Sequence, residues 1–219
     1  MPGIDSLHGL AAPLMRDNID TDVIIASRDI TAPSRQGLGP RAFAAWRYHA
    51  SDGTENPEFI LNQAPWREAK ILIAGRNFGC GSSREMAVWA LQQLGIGCVI
   101  APSFGSIFRN NCVRNGLLPL ELPDLQVKQL ADKAQSGTLW LLINLHQRTI
   151  ELQGMGLPPT SLSFELDPQD QQALVSGLDA VDRAWEHRQA IEAFEARDRL
   201  ERPWAQALRV SAAPPSSAD

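Results

Sequence analysis

The sequence predicts an α/β protein built on a mixed sheet, and three observations predict it. Ile71-Leu72-Ile73-Ala74 and Cys98-Val99-Ile100-Ala101 are short continuous apolar runs, the pattern of strands buried on both faces. Between them Met86, Ala87, Ala90, Leu91 and Leu94 recur at helical spacing. Strand, helix and strand in that order imply parallel pairing through right-handed crossovers. Farther on, residues 138–144 and 149–152 read as two strands joined by a turn, an antiparallel addition to the sheet.

Taken in order, the acidic, turn-rich Asp17-Asn18-Ile19-Asp20-Thr21-Asp22 precedes Val23-Ile24-Ile25-Ala26, a β-branched apolar run that reads as the first strand. Residues 31–40 (TAPSRQGLGP) read as a loop, and a loop of that length in a small domain is often functional. Residues 41–49 suit a short helix carrying Phe43 and Trp46; 52–57 form a second loop, and Phe59-Ile60-Leu61 opens a short ordered element. After the Ile71–Ala74 strand and a turn over 75–81, a helix runs from Ser83 to Leu94, ended by Gly95 and Gly97. A second helix, about Ser106 to Arg114, stops at Asn115-Gly116, and a third strand or extended segment begins at Leu117. Residues 124–134 form a helix, and the alternating TSLSFEL at 160–166 suits a last strand. Asp167–Val175 and Leu178–Leu200 read as C-terminal helices, the second highly charged with Ile191 and Phe194 as a sparse apolar face. The Pro/Ser/Ala-rich tail from Ser211 has the composition of a disordered segment.

Composition narrows the functional classes. Of 219 residues, 44% are hydrophobic and 21% charged, as in ordinary globular chains, so one core of substantial size is expected. Twenty Lys+Arg against 25 Asp+Glu give a net charge of -5 without basic runs, which argues against nucleic acid as a partner. Cys80, Cys98 and Cys112 are odd in number and form no CxxC pair, and His8, His49, His146 and His187 are scattered. Neither a disulfide framework nor a metal centre carried by this chain is expected. The N-terminus lacks the pattern of a signal peptide, and no apolar run approaches the roughly 18–20 residues of a membrane span. A soluble cytoplasmic protein with free thiols is the simplest expectation.

The chemistry concentrates in Gly75-Arg76-Asn77-Phe78-Gly79-Cys80-Gly81-Ser82-Ser83-Arg84-Glu85, between a buried strand and a helix start. In open α/β sheets ligands bind outside the carboxyl ends of strands, where loops and helix N-termini meet. The glycines allow close backbone approach, helix-end N–H groups favour an anion, and Arg84 offers a bidentate fork for a carboxylate. No Gly-Lys-Ser/Thr follows, position 84 is not the third glycine of a dinucleotide fingerprint, and Glu85 breaks a nucleophile elbow. The residues therefore point to carboxylate binding with a serine at the reacting position. Structural readings stand beside this one. Ser82 and Glu85 also fit a capping box, Arg84 a surface salt bridge, and Cys80 a buried small hydrophobe.

NFGCGSSRE (77–85) followed by Trp89-Ala90-Leu91, VIAPSFGSIF (99–108), NGLLPLEL (115–122) and the upstream Asn18-Ile19-Asp20-Thr21-Asp22-Val23-Ile24-Ile25 together resemble the small subunits of 3-isopropylmalate dehydratases. Those subunits are the separate swivel domain of the aconitase family, and the likeness runs from about Gly9 to Trp204. The resemblance implies a swivelling β/β/α domain over residues 1–205, with 206–219 as a disordered tail. It also implies a heteromeric hydro-lyase that interconverts 2- and 3-isopropylmalate in leucine biosynthesis. A [4Fe–4S] cluster would be held by a large-subunit partner, none by this chain, and the substrate would be a small dicarboxylate. Matched position by position, the catalytic serine falls on Ser82; Ser83, Arg84, Gly81 and, in the loop after the first strand, Arg35 fall on substrate-binding positions.

The sequence departs from the family pattern at three places. Met86-Ala87-Val88 replaces His-Ala-Pro, Ala26-Ser27-Arg28-Asp29-Ile30 replaces Pro-x-x-Phe-Leu, and Leu38 stands where an aromatic is common. These leave open a paralogue acting on a methylmalate or dimethylmalate, and a non-catalytic dicarboxylate-binding module.

Overall fold

A computed structural model describes residues 3–29, 36–82, 84–154, 156, 158–178, 185 and 187–206. The chain divides into two units, Met1–Gly177 and Leu178–Asp219. The first is a seven-stranded sheet in the order β4-β3-β2-β1-β5-β6-β7. Strands β1 (Ser6–Leu14), β2 (Ile71–Ala74), β3 (Cys98–Ala101) and β4 (Leu118–Glu121) run parallel. Strands β5 (Trp140–Asn144), β6 (Thr149–Gln153) and β7 (Thr160–Ser163) add antiparallel. β1 joins the two halves. Ser6–Leu10 pair with β5, whereas Ala11–Leu14 pair with β2.

The four-residue apolar runs are central strands because both sheet faces are covered. Leu72, Ala74, Val99 and Ala101 enter one core layer with Ala87, Val88, Ala90 and Leu91 of α3 (Glu85–Gln93). Ile71, Ile73, Cys98 and Ile100 enter the other with Val127, Leu130 and Ala134 of α5 (Asp124–Ala134). With side chains alternating across the sheet, an apolar residue is required at every position. β4 carries Pro119, which lacks an N–H, and it lies at the sheet edge where that donor is not needed. The parallel crossovers are α3 and α4 (Ser106–Asn115), the latter ended by Gly116 at φ 71. α6 (Pro168–Ser176) starts on an Asp167 cap and stops at Gly177, φ 65.

Two expectations need correction. The run Val23–Ala26 is not the first strand; Thr21–Ile24 form a single helical turn, α1. Asp20 caps it, its Oδ1 accepting from the Val23 N–H at 2.7 Å, and that bond settles the choice against β-branched propensity. The first strand is Ser6–Leu14, whose Gly9, Ala11, Ala12 and Pro13 hide its β character. The expected 41–49 helix contracts to α2 (Ala44–Arg47), because Phe43 sits at φ 54 and Tyr48 is already extended. Phe59-Ile60-Leu61 belongs to a 3-10 turn at Ile60–Asn62.

In the second unit α7 (Arg188–Glu201) is laced by i,i+4 pairs, Arg188–Glu192 at 2.7 Å and Arg199–Glu195 at 3.3 Å. It buries no residue, and Ile191 and Phe194 stay exposed. α8 (Pro203–Gln206) follows. The expected tail lies outside the described residues apart from Gln206. Among the described residues no helix is long and apolar enough to cross a membrane.

Asn115 joins α3 to α4. It is 3% exposed, and its Nδ2 donates to Glu85 Oε1 at 2.7 Å and to the Asn111 carbonyl at 2.9 Å. Its Oδ1 accepts from Trp89 Nε1 at 2.8 Å, and its own carbonyl accepts from Gln92 Nε2 at 2.6 Å. Asn115→Ala should cost about 2–4 kcal/mol by stranding these partners, roughly 5–15 °C in melting temperature. Thermal unfolding by circular dichroism checks it; a loss under about 1 kcal/mol would mean that water replaces the amide.

Candidate active site

Three loops meet at the carboxyl ends of β1, β2 and β3. Asn18 donates its N–H to the Arg76 carbonyl at 2.8 Å, Gly79 to the Ile19 carbonyl at 2.7 Å, and Thr21 to the Cys80 carbonyl at 3.0 Å. Asn77 N–H reaches Ser103 Oγ at 2.9 Å, and Phe78 N–H reaches the Ser103 carbonyl at 3.1 Å. The 75–82 loop is thus held on both flanks, by 17–22 and by 102–105. Gly79 makes the fit possible. It sits at φ 72, and a Cβ there would lie 2.2 Å from the Phe108 ring. Beneath it Phe78, Phe104 and Phe108 form an aromatic cluster with centroids 5.5–6.5 Å apart.

Ser82 follows Gly81, which turns the chain at φ 86. It is exposed, and its hydroxyl makes no hydrogen bond among the described residues. Its carbonyl is held instead, accepting from Thr21 Oγ1 at 2.7 Å. Thr21 is 2% exposed and fastens the loop twice, through its N–H and its hydroxyl.

The capping-box reading of Ser82 and Glu85 fails. α3 begins at Glu85 with Arg84 at the cap position in extended backbone, and Glu85 Oε1 is taken by Asn115. Ser82 lies outside the helix, so its side chain has no capping duty.

Arg84 is largely covered and its Nη1 lies 2.7 Å from Asp22 Oδ1. The anion expected beside this cation is therefore supplied in part by the chain itself. Asp22 is fastened in turn, accepting from the Ser27 N–H and hydroxyl, each at 3.1 Å. Those bonds, chiefly the backbone one, hold the Asp22 carboxyl below its ordinary value, and Arg84 adds to the effect. Asp22 and Thr21 were not singled out by the sequence reading. The signal lies in Asp20-Thr21-Asp22, which the sequence presents as a polar turn and as part of the family motif without a site role.

Gly81, Ser82 and Arg84 are thus brought together with Asp22. Ser83 and Arg35, also expected at the substrate, lie outside the described residues. Met86, where the family carries histidine, packs against the first core layer.

The thiols do not suit an iron–sulfur cluster. Cys98 and Cys112 are fully buried, one in each core layer, and burial pushes both thiols up, away from the thiolate a cluster requires. The Cys80 thiol is also raised, first by burial and then by Asp20, as suits a small packing residue. Among the described residues no three His, Cys, Asp or Glu side chains are gathered as a metal site.

The aconitase C-terminal domain family matches residues 1–125. The chain is 47% identical over 198 residues to the 3-isopropylmalate dehydratase small subunit of Cupriavidus necator, covering 90% of this chain and 94% of that one. It is 44% identical over 206 residues to the namesake of Rhodopseudomonas palustris (strain BisA53), covering 94% of this chain and all of the other. Among solved structures, a 3-isopropylmalate dehydratase chain (LeuD) of Methanocaldococcus jannaschii superposes with TM-score 0.60 at 25% identity, covering 87% of this chain and 99% of that one.

Proposed function

Since the chain belongs to the 3-isopropylmalate dehydratase small-subunit family, with its aconitase C-terminal domain, we propose that it works with a large subunit as a hydro-lyase interconverting 2- and 3-isopropylmalate. The observation that carries this reading is the exposed Ser82, unbonded at its hydroxyl, beside an arginine that a carboxylate already holds in place. In it Ser82 Oγ removes the proton α to a substrate carboxylate and returns it in the reverse direction. A serine hydroxyl is a weak base unless its alkoxide is stabilised, and the Arg84 guanidinium is the nearby positive charge for that. Arg84 also grips the substrate carboxylate, with Gly81, Ser83 and Arg35 as its companions. Asp22 keeps the guanidinium aimed through one edge of the fork and leaves the other donors for substrate.

The iron–sulfur cluster belongs to the large subunit in this reading, because the thiols of this chain do not suit one. Residues 1–205 act as the mobile half that closes on it, and the assembly works in the cytoplasm. Coexpression with a large subunit tests the proposal. The pair should interconvert 2-isopropylmalate and 3-isopropylmalate through isopropylmaleate, and the chain alone should not. Activity of the chain without a partner would overturn it; preference for citraconate or a dimethylmalate would keep the reaction and change the substrate.

Thr21 acts as a positioning residue. Thr21→Val should lower kcat roughly tenfold with little change in KM, as expected for losing one hydrogen bond that fixes the base, and Thr21→Ser should restore it. A stability loss of about 1 kcal/mol with unchanged kcat would leave Thr21 a purely structural role.

A further inference from the structure

Local sequence and tertiary contacts disagree about where α3 begins. Ser82-x-x-Glu85 is the signature of a capping box, in which the serine hydroxyl takes the Glu85 N–H and the glutamate reaches back to the N–H of the serine. A helix built that way starts directly after Ser82. The observed start is later, at Glu85, with Arg84 extended and no side chain bonded to the helix end as a cap. The first bond along it runs from the Ala87 N–H to the Arg84 carbonyl at 3.1 Å. No local signal marks this start.

It is set from other elements. Asn115, 3% exposed at the end of α4, donates Nδ2 to Glu85 Oε1 at 2.7 Å and so draws off the carboxylate that the box requires. Asn115 cannot follow a sliding helix, because the Asn111 carbonyl and Trp89 Nε1 hold its two amide atoms. On the other flank Thr21 Oγ1 holds the Ser82 carbonyl and Asp22 holds Arg84, each at 2.7 Å. A hydrogen bond to a charged acceptor is worth roughly ten- to hundredfold in an equilibrium, whereas a serine cap favours its own helix start by about fivefold. The Asn115 tie therefore outweighs the cap.

We infer that Asn115 and Glu85 are positioning residues for the reaction: their bond holds the start of α3 at Glu85 against its own capping box. That keeps the Ser82 hydroxyl free and Arg84 extended beside Asp22. In the other frame the hydroxyl is spent on the Glu85 N–H, and Arg84 enters the first helical turn. The effect on turnover rests on Ser82 acting as the base; the frame of α3 does not, and the two are measured separately.

Nuclear magnetic resonance of the full chain reads the frame. The Arg84 Cα signal should lie at an extended value in the parent and move towards a helical one in Asn115→Ala, which frees Glu85 for the box. It should stay extended in Asn115→Ala/Ser82→Ala, because alanine is a poor cap. Turnover with a large subunit, well below the melting range of each variant, reads the consequence. Asn115→Ala should lower kcat roughly tenfold and Glu85→Ala by less. Adding Glu85→Ala to Asn115→Ala should restore part of the loss, since the box then lacks its second bond, whereas damage to packing is not undone by a further truncation. Glu85→Gln keeps an oxygen for Asn115 and should hold kcat within about twofold of the parent. An Arg84 signal unmoved in Asn115→Ala, or a double variant no faster than Asn115→Ala, would overturn the inference. If Asn115→Ala does not fold, Glu85→Ala carries both readings, and an unmoved signal with parental kcat overturns it. A signal that moves while kcat holds supports the change of frame and removes Ser82 from the chemistry instead.

Discussion

Ser82→Ala is expected to reduce turnover of the assembled enzyme about 10³-fold while leaving its melting temperature unchanged. The two halves of that expectation rest on separate observations. Losing a positioned general base typically costs about 10²–10⁴ in rate. Stability should stay within roughly 0.5 kcal/mol, because the Ser82 hydroxyl bonds to none of the described residues and its fastening to Thr21 runs through the backbone carbonyl, which alanine retains. The helix start is equally indifferent, since Arg84 and not Ser82 occupies the cap position. Initial rates with 2-isopropylmalate, together with calorimetry of the same preparation, measure both. Near-normal turnover would remove Ser82 from the chemistry, and a large fall in melting temperature would mean that its side chain has a structural bond after all.

Arg84→Lys should raise KM for the isopropylmalates roughly tenfold to hundredfold and lower kcat as well. Lysine keeps the charge but loses the planar fork, and a point charge cannot hold Asp22 on one edge and a substrate carboxylate on the other. Charge-assisted hydrogen bonds of this kind are worth about 1.5–3 kcal/mol, which sets the range. A KM within twofold of the parent would show that the substrate carboxylate is held elsewhere.

The same pair makes a statement about pH. The Asp22 carboxyl is held below its ordinary value, so the Arg84 contact is fully present above the unfolded carboxylate value near 4 and is lost only as pH falls through the lowered one. Across about pH 5–8 the guanidinium therefore stays aimed, and Asp22→Asn should raise KM by a constant factor over that window. A pH-dependent ratio between parent and variant within it would contradict the assignment.

How much of this was legible in the sequence depended on the kind of information each residue carried. β2 and β3 could be read because burial on both faces demands an unbroken apolar run. The end of α4 could be read because Gly116 adopts positive φ there. β1 could not be read, since its place at the centre of the sheet rests on close contact and not on β propensity: a Cβ on Gly9 would lie 2.6 Å from Lys70. α1 was hidden for the opposite reason, a side-chain cap from Asp20 outweighing the preference of Val23 and Ile24 for strands.

The candidate site divides in the same way. The run Gly79–Glu85 announced a carboxylate-binding loop with a serine, because glycine, arginine and serine carry that chemistry wherever they stand. Local sequence is equally compatible with Ser82 as a helix cap and as a free side chain, and only the backbone of Arg84, extended where the sequence predicts helix, decides it. Thr21 and Asp22 gained their roles from the parallel register of β1 on β2, which brings a hydroxyl and a carbonyl 61 positions apart to 2.7 Å. Periodicity and turn chemistry are local, so the sequence by itself determined the strands β2 and β3, the crossover helices between the parallel strands and the reactive loop. The partners of that loop are set by which strands lie side by side, and that was decided only by the tertiary structure.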